Sequence, residues 1–253
     1  MDRPQEGVEG TAGGDRVAAG GETARNGAGD PRSAAPPLAA VPVWDPWVRL
    51  FHWTLAALVA FSWWSGTEGG NVMRYHMLSG YAILTLVLFR VLWGVVGSTH
   101  ARFADFVRGP ATVLAAAREL FSRRPMPYAG HNPVGGWMAL ALLLALAVQA
   151  VTGLFANDDI FIEGPLYPYV SKDLSDALTR VHYGNFNVIL ALVAVHVVGV
   201  LYHWIVKREN LVAAMFTGRK RLAQAPPARF ASFWTALAAL AASAAAVAWV
   251  VNL

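Results

Sequence analysis

The sequence contains no cysteine. That excludes disulfides, thiolate zinc sites, cysteine-ligated iron–sulfur clusters and covalent C-x-x-C-H haem attachment. Any metal chemistry must use histidine, carboxylate or methionine. Charge is also scarce, at 14% of 253 residues, where an average soluble domain carries about 25%. No G-x-G-x-x-G follows a strand pattern, so there is no nucleotide or flavin signature. Residues 1–40 carry almost no large apolar side chains. Such a stretch cannot offset its ordering entropy by burial and is expected to be a disordered tail. It also lacks the apolar core of a signal peptide, which leaves membrane insertion to the first span.

What remains is apolar. The chain is 56% hydrophobic with ten tryptophans and a mean hydropathy of +0.41. A membrane span needs about 20 mainly apolar residues. Five stretches meet that need, at 47–65, 76–96, 134–155, 183–205 and 232–251. The last is Ala-rich and bears no ionisable side chain, as expected of a helix facing lipid or a partner.

The loops set the orientation. Residues 97–133 hold five arginines against Asp105 and Glu119, and 206–230 hold six basic residues against Glu209 alone. The loop between spans three and four is acidic, with Asp158, Asp159, Glu163, Asp173 and Asp176. The positive-inside rule places the N-terminus and both basic loops in the cytoplasm. The expected fold class is therefore an all-α membrane protein with five transmembrane helices and a cytoplasmic N-terminus. The basic residues mark topology, and the net charge of +4 does not point to nucleic acid. Residues 110–124 form a candidate interfacial helix, because Val113, Leu114, Ala117, Leu120 and Phe121 share one face.

Ionisable residues inside spans are costly and are functional candidates by default. Of the seven histidines, four align by depth. His52 lies about 20 Å inward of the outer end of span one, and His76 opens span two on the outer side. His182 starts span four, and His196 follows 14 residues later, about 21 Å deeper and within about 40° of the same helix face. His76 thus matches His182 near the outer face, and His52 matches His196 near the inner face. Two pairs stacked across one bundle are what two bis-histidine haems require. Such ligation leaves no open iron position and favours electron transfer. Arg90 returns to the His76 face at the inner depth, where it either pairs with haem propionates or snorkels to headgroups. Gly80 and Gly199 place small residues beside the ligands, for a close macrocycle or for helix packing.

His203 competes with His196 as a ligand, although it lies deeper and is expected at the cytoplasmic interface beside Trp204 and Lys207. His131 precedes Asn132-Pro133, a helix-entry pair. It is either a plain loop histidine or part of a polar rim for a quinone head group. His100 has no case beyond its loop. Gln149 and Thr152 in span three are expected to bond between helices.

The run Arg49-Leu-Phe-His52-Trp53, His76 with Gly80 and Arg90, His182 with His196 and His203, and Val206-Lys-Arg-Glu-Asn210 together resemble the prokaryotic cytochrome b561 family. That family includes the cytochrome b subunits of membrane-bound nickel–iron hydrogenases. The resemblance covers about residues 43–222. It implies a di-haem four-helix bundle within a membrane domain at 41–222, followed by a linker and an additional fifth helix at 223–253. It also implies two non-covalent b haems, one held by His52 and His196, the other by His76 and His182. The activity implied is electron exchange between the quinone pool and a periplasmic donor, either a c-type cytochrome or an oxidoreductase subunit. On that reading no residue is catalytic. The acidic loop 157–176, with Tyr167 and Tyr169, is either a docking surface or simply solvated. Two other functions fit parts of the pattern. One is a self-contained oxidoreductase passing electrons from superoxide or a small donor to quinone. The other is a transporter that uses histidines for protons or metal.

Overall fold

The computed structural model describes residues 38–122, 128–160, 162–224 and 227–253. Residues 1–37, most of the stretch expected to be a tail, lie outside the described residues. Five long helices alternate in direction: α1 (Pro46–Glu68), α2 (Met73–Val96), α5 (Pro133–Gly153), α6 (Lys172–Ile205) and α8 (Phe233–Val251). Three short helices, α3 (Phe103–Phe106), α4 (Pro110–Leu120) and α7 (Leu211–Thr217), lie in the connections. The connections at one end are basic and those at the other acidic, so the two ends are named by charge below.

Four helices, α2, α5, α6 and α8, are long and apolar enough to cross a membrane. The expected first span folds as a 23-residue helix but is less apolar, because His52, Trp53, Ser62, Trp63, Trp64 and Ser65 dilute its aliphatic residues. Tryptophan at such a helix suits the bilayer interface.

Local signals explain the helix starts. Asp45 caps α1, accepting from Val48 N at 2.8 Å, and Asn132 caps α5, accepting from Gly135 N at 2.7 Å. Proline follows each cap, where its missing N–H costs nothing. α6 begins 11 residues before the span expected at 183, because Ser171 caps it with Asp173 in its first turn. Residues 172–176 of the expected acidic loop are therefore helical.

α2 is the central element and packs against α1, α5 and α8, while α5 packs against α6. Midway along the bundle, Ile83, Val87, Ala145, Leu146 and Ile189 are buried, with Leu55, Leu58 and Leu192 against them. Polar side chains of α1, α2 and α6 lie on either side of this apolar layer. α8 lies along α2 through Ala236, Ala239, Ser243 and Val247, its buried stripe. It is tied at the basic end by Ala231 N to Ser98 Oγ (3.1 Å) and at the acidic end by Tyr169 Oη to Leu253 O (2.5 Å).

At the basic end, β1 (Ala39–Pro42) pairs antiparallel with β2 (Arg219–Leu222). β1 begins two residues inside the stretch expected to be a tail. The turn into β2 needs Gly218, whose φ is +77° and whose missing Cβ would lie 2.8 Å from Trp44 O. Gly218 O accepts from Val43 N and Trp44 N. The same end buries Asp45, which also accepts from Trp93 Nε1 at 3.2 Å. Asp45→Ala removes a helix cap and leaves a buried indole N–H unsatisfied, and is expected to cost about 2–3 kcal/mol. Thermal unfolding in detergent measures it, with Asp45→Asn expected to recover part of the loss.

α4 spans the expected interfacial segment, which ends at residue 124, outside the described residues. Leu114 and Phe121 are exposed on it. Tyr202 Oη donates to Leu120 O at 2.6 Å, which ties the segment to the end of α6.

Candidate functional site

The bundle brings four of the histidines together in two pairs, one near each end. His52 on α1 faces His196 on α6, with ring centroids 6.4 Å apart. His76 on α2 faces His182 on α6 at 6.0 Å. Two imidazoles that share a metal at about 2 Å per metal–nitrogen bond have ring centroids about 6 Å apart, so both spacings suit a single bridging metal. Among the described residues the metal-ligating side chains form no cluster of three or more. The histidines meet in twos, as the axial positions of a haem require.

The pair at the acidic end is held by helix carbonyls. His76 Nδ1 donates to Ser62 O at 2.8 Å, with Ser62 Oγ at 3.3 Å. His182 Nδ1 donates to Gln149 O at 2.9 Å, with Thr152 Oγ1 at 3.4 Å. A carbonyl only accepts, so each Nδ1 carries the proton and Nε2 keeps a lone pair for a metal. Gln149 also bonds between helices as expected, its Oε1 accepting from Asn185 Nδ2 at 2.8 Å.

At the basic end several buried polar atoms have no partner among the described residues: His52 Nδ1, Trp53 Nε1, Arg49 Nε, Arg90 Nη1 and His131 Nδ1. Arg90 is 7% exposed and stacks over Phe103 and Phe106. It does not snorkel: the connector carrying α3 covers it. His131 sits between Trp44 and Phe106, each ring centroid 4.8 Å away. Burial, then the nearby Arg90 and Lys220, push its pKa down to about 3, so it is neutral at pH 7. Buried polar groups are ordinarily satisfied, and this set of unpartnered donors suits carboxylate or carbonyl oxygens of a bound group. Open space lies beside Gly80 and Gly199, with nothing within 4 Å of a Cβ placed there. A flat macrocycle fits these observations at both pairs.

His203 stands in the last turn of α6, at the basic end where the sequence puts it. It is buried at the basic end, with Nδ1 3.1 Å from Glu209 Oε2 and Nε2 3.5 Å from the Asn132 amide. Glu209 Oε1 in turn holds Lys220 Nζ at 2.6 Å. The left-handed backbone of Arg208, φ 57°, folds the chain back so that Glu209 reaches the last turn of α6. His196, and not His203, faces His52. His100 is buried against Asp105 at 2.9 Å and fastens its own connector. The sequence reading missed Ser62, Gly66 and Gly153 at the acidic-end pair, and the part that the Gln149 carbonyl plays there. The available signal was one small or polar residue followed by glycine four positions on, repeated in two apolar segments.

A helical bundle with two facing histidine pairs and an apolar layer between them defines a class, the membrane cytochromes with haem held between helices. Residues 43–218 match the family described as prokaryotic cytochrome b561, and the chain belongs to that family. It is 28% identical over 227 residues to a protein of Azotobacter vinelandii named probable Ni/Fe-hydrogenase B-type cytochrome subunit, covering 75% of this chain and 92% of that one. A protein of Rhizobium leguminosarum bv. viciae with the same name is 25% identical over 218 residues, covering 70% and 87%. No solved structure matches. The family and the four apolar helices make this a multi-pass membrane protein of the b-type cytochromes, whose cofactor is haem b and whose work is electron transfer.

Proposed function

We propose that the chain is a two-haem cytochrome b that carries electrons across the bacterial inner membrane between a redox enzyme partner and the quinone pool. The observation that carries this reading is the pair of imidazole–imidazole spacings, 6.4 and 6.0 Å, at opposite ends of one bundle. When bound, each haem supplies a one-electron iron couple. His52 and His196 would hold one haem iron, and His76 and His182 the other, and a pair of histidines on each iron would favour electron transfer over oxygen chemistry. Arg90 Nη1, buried and unpartnered, takes a propionate at the basic end. The apolar layer around Ile83, Val87 and Ile189 keeps water out between the pairs.

All five long helices span the membrane in this reading. The basic end faces the cytoplasm, and α8 flanks α2 outside the four-helix haem bundle. A quinone head group docks at the basic end beside His131, whose neutral ring offers a hydrogen bond to a carbonyl oxygen. The relatives' names support a hydrogenase or comparable oxidoreductase as the partner. The acidic end, with Asp158, Asp159, Glu163 and exposed Tyr169, is its docking face; a basic c-type cytochrome would suit the same charge.

Purification from haem-replete cells in mild detergent, with a pyridine haemochrome assay, tests the reading. The expected result is two non-covalent b haems per chain and a reduced-minus-oxidised b spectrum. A colourless protein, or a single haem, overturns it.

A further inference from the structure

We infer that α1 and α5 present the same ring seat to the two histidines at the acidic end, and that these seats fix the imidazoles for metal binding before the haem arrives. The inference rests on the haem reading above. Each seat is a helix carbonyl at one position and a glycine four residues later. Ser62 O with Gly66 receives His76, and Gln149 O with Gly153 receives His182.

The physical reason lies in helix geometry. The carbonyl of residue i spends one lone pair on the N–H of residue i+4, and its second lone pair points outward. The side chain of residue i+4 leans back over the preceding turn and covers that outward face. Glycine at i+4 uncovers it. A Cβ at Gly66 would lie 2.8 Å from His76 Nδ1 and 2.9 Å from its Cε1. A Cβ at Gly153 would lie 2.9 Å from His182 Cε1 and 3.2 Å from its Nδ1. In each case the nearest ring atom is closer than real Cβ atoms come, so the ring has to shift against its carbonyl once a methyl stands there. With both glycines in place, each Nδ1–H is donated to a carbonyl, each Nε2 keeps its lone pair, and the two ring centroids stand 6.0 Å apart. Two helices from different parts of the chain converge on one solution, which packing alone does not require. At the basic end the contrast is plain, since His52 Nδ1 has no partner.

Alanine at Gly66 and at Gly153, separately, in the full haem-loaded chain, tests the seats. Haem content is read by haemochrome, each haem's midpoint by redox titration, and axial geometry by low-temperature EPR of the oxidised haems. Both variants are expected to raise haem dissociation at the acidic-end pair by about tenfold or more, in the range for lost outer-shell partners. The haem that remains there has a shifted midpoint and EPR signal, while the basic-end haem keeps both. Ser62→Ala, which removes the hydroxyl but not the carbonyl, is expected to match the wild type. Unchanged midpoints and EPR in both glycine variants overturn the inference, and so does equal loss of both haems, because a seat acts on one pair only. A wild-type chain without two haems defeats the haem reading itself, and the seats fall with it.

Discussion

Alanine at His182 is expected to remove one haem and leave the other. The proposed pairing makes a sharper statement through double substitutions. His76→Ala and His182→Ala delete the same site, so the double variant keeps as much haem as either single one. His52→Ala with His196→Ala behaves likewise. A variant that takes one histidine from each pair, His52→Ala with His182→Ala, keeps none. Non-additivity within a pair and additivity across pairs are expected because the pairs sit at opposite ends of the bundle and share no ligand. His203→Ala keeps both haems, since that ring faces Glu209 and Asn132. Haemochrome stoichiometry decides each case. A cross-pair double variant that still held one haem would contradict the pairing.

Glu209→Ala is expected to give the largest loss of stability that leaves every ligand in place. Its carboxylate lies between the His203 ring and the Lys220 ammonium, and the side chains of both partners are 7% exposed. Removing it leaves a buried ammonium whose remaining partner among the described residues is Tyr128 O, 3.2 Å away. Deleting one member of a buried charge pair costs about 3–5 kcal/mol, and the 28% exposure of Glu209 argues for the lower figure. Glu209→Gln keeps the shape and loses the charge, so its cost falls between. Burial pushes the Glu209 carboxyl up, but the His203 hydrogen bond and the Lys220 charge outweigh it and hold the group below its ordinary value. A depressed carboxyl stabilises the fold fully above its unfolded pKa, about 4.3. That contribution is lost as pH falls from there through the lower folded value. Unfolding in detergent should show this acid-side loss in the wild type and not in Glu209→Gln. Equal acid sensitivity in the two would show that Glu209 contributes nothing through its charge.

The histidine pairs were legible in the sequence because depth along a helix is a rigid function of residue number. His182 and His196 stand 14 residues apart on one helix, and His52 and His76 fall at matching depths. Rotation about the helix axis is not so fixed, since it depends on how neighbouring helices pack. That is why the Ser62 and Gln149 carbonyls, and the glycines that uncover them, could not be placed against particular rings. The burial of His203 was hidden for a related reason: it depends on a reversal at Arg208 that brings Glu209 back. The β1–β2 pairing joins segments about 180 residues apart, and neither four-residue strand carries a pattern of its own. The bond from Trp93 to Asp45 joins residues 48 positions apart and has no local signal either. α1 shows the limit of composition, since the aromatic and histidine residues that lower its hydropathy include a member of one pair.

α6 contributes one imidazole to each pair, and so works as a common axle. Its 34 residues run past the apolar layer without a break, which in the two-haem reading would tie both iron positions to one rigid spacing along the bundle. Turning or sliding this helix would then disturb both couples together. Separate tuning of either couple would have to come from the other helices, α1 at one end and α2 at the other, whereas a bend in α6 would reach both sites at once.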